Sequence, residues 1–268
     1  MIKNKIWLCC YLTTLLLSQI TPAEAKTNYD ALHTKHDIVA KYECGKLGYQ
    51  AISRDSYGGY SYGKWQISTK RINGKPSTFD FFLNYLKDND KNIYIKLIKA
   101  GGYQAAFKGN ENFIKTWKSL AKTESFKVVY DKFLLDTQII PVYTRMDKSG
   151  NEKLDKITTW ASENNAIQAA LKSTIIQHGT SGAYKIFVNV SNMSKDINKD
   201  TFIKNLYTYR KIHYPKYKTR YNSECKDIIA YLHSEKTNKE VVKKDKIVIA
   251  AKTGKTLSWW DKLKKLIS

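Results

Sequence analysis

HDIVAKYECGKLGYQAISRDSYGGYSYGKWQI, residues 36–67, changes its hydrophobic period midway. From His36 to Glu43 the apolar residues Ile38, Val39 and Tyr42 recur at three- and four-residue steps, the spacing of a helix with one buried face, and a helix is predicted over 35–47. From Ile52 to Ser68 the pattern is different. Gly58, Gly59 and Gly63 punctuate Tyr57, Tyr60, Tyr62 and Trp65, which predicts a small twisted β-hairpin or an irregular loop. Helical periodicity then returns, as in Phe81, Phe82, Tyr85, Leu86 and again in Phe126, Val129, Tyr130, Phe133, Leu134. Helices are expected near 77–88, 91–100, 110–121, 123–142, 160–177, 182–192, 199–212 and 217–234. The fold class is therefore mainly α (α+β), a helical domain with a small β element behind its first helix.

The two ends differ from this middle. Lys3 and Lys5 precede an apolar run from Ile6 to Leu17, and Ala23-Glu24-Ala25 supplies a small-x-small cleavage pattern, so residues 1–25 read as a secretory signal peptide. The run is shorter than the roughly 18 to 20 residues a membrane-crossing helix needs; an uncleaved anchor is the competing reading. Export to the periplasm or the exterior is expected. The main domain spans 26–234. A Lys-rich stretch over 235–257 reads as a linker, and 258–268 as an amphipathic helix, with Ser258 and Asp261 resembling a capping box and Trp259, Trp260, Leu263, Leu266 and Ile267 on its apolar side. That helix either docks on an anionic membrane or wall, or packs on the domain's own core.

Lys and Arg number 46 against 24 Asp and Glu, a formal net charge of +22, so an acidic partner is implied. Nucleic acid, anionic lipid and the carboxylate-bearing peptidoglycan mesh all qualify by charge; the export signal disfavours nucleic acid. Once the signal is removed, Cys44 and Cys225 remain as one pair, for which a disulfide is expected in an oxidising compartment. The five histidines show no metal-ligand spacing with nearby carboxylates beyond the weak His33/His36 pair, and no phosphate-binding loop is complete, so neither metal nor cofactor is expected.

Glu43 is the residue to which chemistry attaches. A carboxylic acid donates a proton to a glycosidic oxygen only when an apolar, partly dry setting raises its pKa, and Glu43 sits at the end of a helix beside an aromatic-rich loop suited to line a sugar cleft. A second carboxylate serves most glycosidases; Asp55 is the nearest candidate, with capping of the following turn as its alternative role. Glu43-Cys44-Gly45 followed by Ala51 to Ile67 resembles the E-S-G…I-S-x-D-x-x-G-G-x-S-Y-G-x-x-Q pattern of lysozyme-like peptidoglycan glycosidase domains in phage lysins and secreted antibacterial effectors, within the lysozyme/chitosanase-like superfamily. Ser173 to Gly179, Tyr207 to Arg210, Tyr214-Pro215 and Glu224 fit the same resemblance, which covers residues 37–224.

The resemblance implies a lysozyme-like fold and cleavage of the glycan strand of peptidoglycan, with a related amino-sugar polymer, chitosan-like substrates included, as the alternative, and with Glu43 as general acid and Asp55 as second carboxylate. Ser61, Tyr62, Gly63 and Gln66 would form the wall of the groove, with Tyr60 and His178 as further substrate contacts. Cys44 departs from the family's small residue. An immunity protein or a secretion-system component is an expected partner of such an effector. Two other functions stay open: a peptidase or amidase with Cys44 as nucleophile and His178 as base, and a non-enzymatic cationic wall- or membrane-binding protein. A lytic transglycosylase, which needs one acid, is a variant of the first reading. Gln177-His178-Gly179 also reads simply as a helix end.

Overall fold

The computed structural model describes residues 38–55 and 58–253, from 236 onward by backbone alone. The expected signal peptide, the expected tail helix and two residues of the aromatic loop, Ser56 and Tyr57, lie outside the described residues. Helix α1 (Ile38–Glu43) ends earlier than the predicted 47, because Gly45 and Gly48 take positive φ and turn the chain into a short 3-10 turn, Gly48–Gln50. Three short antiparallel strands follow in the order β1 (Ile52–Arg54), β2 (Tyr60–Tyr62) and β3 (Ile67–Ser68), with Ile52 opposite Tyr62 and Ser61 opposite Ser68. The β element is thus a three-stranded meander rather than a hairpin.

Helices make up the rest: α2 (Thr78–Asn89), α3 (Lys91–Lys99), α4 (Gly102–Lys108), α5 (Glu111–Leu120), α6 (Glu124–Leu134), α7 (Ile140–Asp147), α8 (Glu152–Glu163), α9 (Asn165–Ser191), α10 (Lys199–His213) and α11 (Lys218–Thr253). Their starts are written in the sequence. Ser77 and Asp80 form a reciprocal capping box, and Asp90, Asn110, Thr123, Asn151, Asn164 and Asn198 each accept a backbone N–H bond from the first turn that follows. The predicted helix at 123–142 widens into a π-helical turn over Leu135–Ile139 before α7. The helix predicted from 160 begins instead at Asn165, since Asn164 is extended and caps it. Gly179, at φ 66° and ψ 174°, breaks α9 where the sequence predicted a helix end. The backbone of the stretch read as a linker is helical as far as Thr253; no Gly or Pro interrupts it before Gly254.

Helix α9 is the axis. Ala166, Ile167, Ala169, Ala170, Leu171 and Ile175 are all buried, as expected of a helix packed on several sides, and α1, α7, α8, α10 and α11 all contact it. A second centre, behind the sheet, is aromatic. Tyr62, Phe79, Phe82, Phe113, Trp117, Phe126 and Tyr130 pack with ring centroids 5.0–6.4 Å apart, mostly tilted or edge to face. The meander is pinned to this cluster at Gly63: the Tyr130 hydroxyl donates to Tyr62 O at 2.8 Å and accepts from Trp65 N at 3.2 Å.

Gly63 has φ +77°, and a Cβ there would lie 2.5 Å from the Tyr130 hydroxyl oxygen. Gly63→Ala is therefore expected to destabilise the fold by about 2 kcal/mol or more in chemical denaturation, from backbone strain plus displacement of Tyr130. A loss below about 0.5 kcal/mol, the scale of an ordinary surface change, would contradict this packing.

Candidate active site

Glu43 closes α1, and α11 determines its surroundings. Arg220, Glu224 and Asp227 follow one another at steps of four and three, so they share one face of α11. That face meets the end of α1. The Asp227 carboxylate accepts from Lys41 Nζ at 2.6 Å and from the Tyr42 hydroxyl at 2.7 Å, while Val39 is buried on the inner side. Arg220 donates from Nη2 to Glu43 Oε1, and its Nε faces Glu224 Oε2 at 3.5 Å. The Glu43 side chain is 10% exposed and that of Glu224 is fully buried. Glu43 is thus held in a partly dry niche, neither in bulk water nor on a surface lysine.

A second guanidinium completes the niche. Arg210, fully buried on α10, donates from Nη2 to Gln177 Oε1 at 2.5 Å and to Ser173 Oγ at 3.3 Å, both on α9. Its guanidinium carbon lies 4.4 Å from the ring centroid of Tyr221 and 5.0 Å from that of Tyr207. His178, next along α9, packs its ring on Tyr214 with centroids 4.3 Å apart. These residues come from four elements and form one polar cluster within an apolar bundle.

The charges act in opposition. Burial raises the Glu43 carboxyl above the ordinary carboxylate range; the charge and hydrogen bond of Arg220 pull it back, the Glu224 carboxylate adds to the rise, and Arg210 opposes it. The rise prevails. His178 is pushed down to about 4, first by burial and then by repulsion from Arg210 and Arg220, so its imidazole is neutral at physiological pH. A histidine with so low a pKa is a weak base for activating a thiol, and the Cys44 Sγ donates to Ala40 O at 3.4 Å.

Several expectations are corrected here. Cys44 and Cys225 are not joined in a disulfide. They face different elements: Cys44 caps back onto α1 and lies within electrostatic reach of Tyr130, whereas Cys225 is half-buried in the field of Lys211 and Lys204 on α10, and burial raises its thiol. Tyr62 and Gly63 are buried in the aromatic centre, with the Tyr62 hydroxyl bonded to Ala106 O at 2.8 Å, so neither lines a groove. Trp65 is likewise core. Alternation along β2 sends Ser61 to the opposite face from Tyr62.

Tyr60 and Ser61 are half-buried. Gln66, at the unusual φ of 50°, accepts from Ser53 Oγ at 2.5 Å and donates to Gly63 O at 2.8 Å. Asp55 is half-buried in the turn between β1 and β2, which its backbone closes through Asp55 N to Gly59 O and Gly58 N to Asp55 O, both 3.1 Å. A depression of about 220 Å³ lies just past α1, lined by Lys46, Leu47, Gln50, Ile52 and Lys118.

In the sequence Glu224 follows Arg220 by four residues, a spacing that places the two on one helix face. It gave no sign that Arg220 reaches Glu43, 177 positions earlier, or that Arg210 and Gln177 lie behind it. The one available signal was the presence of two arginines, Arg210 and Arg220, in helices otherwise rich in lysine; arginine is the cation suited to buried pairing.

Residues 36–240 match the family described as type VI secretion system spike protein VgrG3-like, C-terminal. Among solved structures the chain is similar to a complex of a Gynuella sunshinyii GH46 chitosanase with chitotetraose, at 13% identity over 80% of this chain and 90% of that one, with a TM-score of 0.49. It is also similar to the native chitosanase of Bacillus subtilis MY002, at 15% identity over 81% and 91% of the two chains, with a TM-score of 0.48. No curated protein matches it. With more than half of its length matched by one family, the chain belongs to the VgrG3-like C-terminal family of type VI secretion system spike proteins.

Proposed function

We propose that this chain is a glycoside hydrolase that cuts the glycan strand of peptidoglycan, with Glu43 as the proton donor. One observation carries the reading: a carboxyl group 10% exposed at a helix end, raised by burial and held at one oxygen by Arg220. Such a group retains its proton to higher pH than a surface glutamate does, as a general acid requires. The family's place in a secretion apparatus agrees with a target outside the producing cytoplasm. In this reading residues 26–234 carry the activity, behind a signal peptide at 1–25.

Glu43 gives its proton to the glycosidic oxygen as the C1–O bond breaks, and water adds to C1. The proton that water loses goes to a second carboxylate, assigned to Asp55 on the turn after β1. Gln66, braced by Ser53 and Gly63, together with Tyr60, Ser61 and His178, lines the path of the sugar chain. His178, being neutral, serves as a hydrogen-bonding group.

Mass spectrometry of fragments from purified peptidoglycan tests both carboxylates. The wild type is expected to release fragments with new reducing ends, and Glu43→Gln to lose about 10²- to 10⁴-fold in rate. Asp55→Asn is expected to fail as well. Anhydro-sugar products together with an active Asp55→Asn would replace hydrolysis by transglycosylation; full activity in Glu43→Gln, or new amino groups in place of reducing ends, would refute the proposal.

The pH profile of kcat/KM tests the niche itself. Activity that depends on protonated Glu43 falls as pH rises through its pKa. Arg220 lowers that pKa and Glu224 raises it, so Arg220→Gln is expected to move the alkaline limb to higher pH and Glu224→Gln to lower pH. Limbs that stay fixed, or that move in the same direction in both variants, would contradict the arrangement.

A further inference from the structure

Helix α4 carries Tyr103 and Phe107 four residues apart, hence on one face. Their rings stack, with centroids 6.0 Å apart and planes inclined by 21°. Phe107 is 36% exposed and Tyr103 half-buried, so the pair lies at the surface. The row continues at both ends. Beyond Tyr103, the guanidinium carbon of Arg71 lies 3.9 Å from the ring centroid, and the same group donates from Nε and Nη2 to the two oxygens of Asp80 at 3.0 and 2.7 Å. At the other end Phe107 packs on Gly59, where a Cβ would lie 3.1 Å from two of its ring carbons. The Tyr60 ring in turn covers Gly109, where a Cβ would run into it. Both glycines have positive φ, +82° and +67°, and both let a ring lie flat against the backbone.

A β-1,4-linked amino sugar presents apolar C–H faces and a rim of hydroxyl and acetamido groups. An aromatic face covers the first, while polar side chains at its edge must satisfy the second, because a hydroxyl that leaves water unpaired is costly. Arg71 and Asp80 stand at that edge, and a guanidinium carries more N–H donors than these two bonds use. The pair is also closed electrically. Its hydrogen bonds from Arg71 hold the Asp80 carboxyl down to about 2, so the row itself has no net charge in a chain of formal charge +22. That favours an uncharged sugar over an anionic group. The row also adjoins the candidate site, since Gly59 O accepts from Asp55 N in the turn on which Phe107 rests. A strand running past Asp55 meets the Phe107 ring next.

We propose that Phe107 and Tyr103, with Arg71 and Asp80 at their edge, form a distal subsite that holds the glycan strand by its sugar rings beyond Asp55. The proposal rests on the glycosidase reading of Glu43 and deepens it: the enzyme grips the uncharged β-1,4-linked N-acetyl amino-sugar backbone, and long strands are preferred to short ones. The stacked rings are suited to this task, because each is braced before a sugar arrives. The Tyr103 hydroxyl donates to Thr69 O at 2.9 Å, and Gly59 supports Phe107 from below, so little ordering is left for binding to impose.

The test reads binding in Glu43→Gln, so that it does not depend on cleavage. The probes are long and short oligosaccharides of β-1,4-linked N-acetylglucosamine, and the readouts are their dissociation constants and the NMR signals of the Tyr103 and Phe107 rings. The long probe is expected to shift both rings and to bind roughly three- to tenfold more tightly than the short one, the scale of covering part of an aromatic face. That advantage should persist at high salt. Adding Phe107→Ala is expected to bring the ratio near one without weakening the short probe, whereas Phe107→Tyr retains it, which separates the ring face from folding. Ring signals unmoved by the long probe, an advantage that survives Phe107→Ala or vanishes at high salt, equal weakening of both probes, or equal binding of an α-1,4-linked glucan would overturn the subsite. Ring shifts and the length advantage without cleavage of peptidoglycan by the wild type would uphold the subsite and refute the glycosidase reading instead.

Discussion

The contact between Arg220 and Glu43 joins the first described helix to the last, and the arrangement of the candidate site depends on it. With the paired bonds of Lys41 and Tyr42 to Asp227, it fixes the end of α1 against α11. Everything downstream in the chain, the glycine turn and then the meander, leaves from that fixed point. Breaking a buried pair by removing one partner costs about 3 to 5 kcal/mol, because the other charge is left uncompensated. Arg220 is shared with Glu224, so the pair belongs to a set of two carboxylates and two guanidinium groups rather than standing alone.

That set explains how a carboxyl group beside two cations keeps a pKa above the ordinary carboxylate range. Arg220 and Arg210 lower the acid; burial and Glu224 raise it, and burial is the largest cause. The linkage to stability follows. A carboxyl whose folded pKa is raised contributes stability that is complete at low pH and is lost as pH climbs through the raised value, so the ionised acid is a strained component of the native state at higher pH. Placing such a group at a functional position is a common trade of stability for reactivity.

Most of the fold could be read from the chain because its signals are local. The Asn, Ser, Thr and Asp caps lie where the helical periods begin, and the glycines at 58, 59 and 63 marked the meander. Two helices escaped. Gly102–Lys108 is a short element flanked by Gly101 and Gly109, and the turn at Asn164 concealed the separation of Glu152–Glu163 from α9. The aromatic loop was the harder case: Tyr62 and Trp65 alternate with glycine as cleft residues would, yet Phe79, Trp117 and Tyr130 approach from distant helices and enclose them. Glu43 was singled out as the candidate from its neighbours in sequence. Its arginines were not, since pairing across 177 positions leaves no periodic trace. The two cysteines show the same limit, for composition supplied a pair and the helices turned them toward different neighbours.

Carbon-13 NMR titration of the Glu43 side-chain carboxyl, assigned by the loss of its signal in Glu43→Gln, measures the central quantity directly. The niche predicts a midpoint above the ordinary glutamate range and higher still in Arg220→Gln. A midpoint at or below that of a solvent-exposed glutamate would contradict the account.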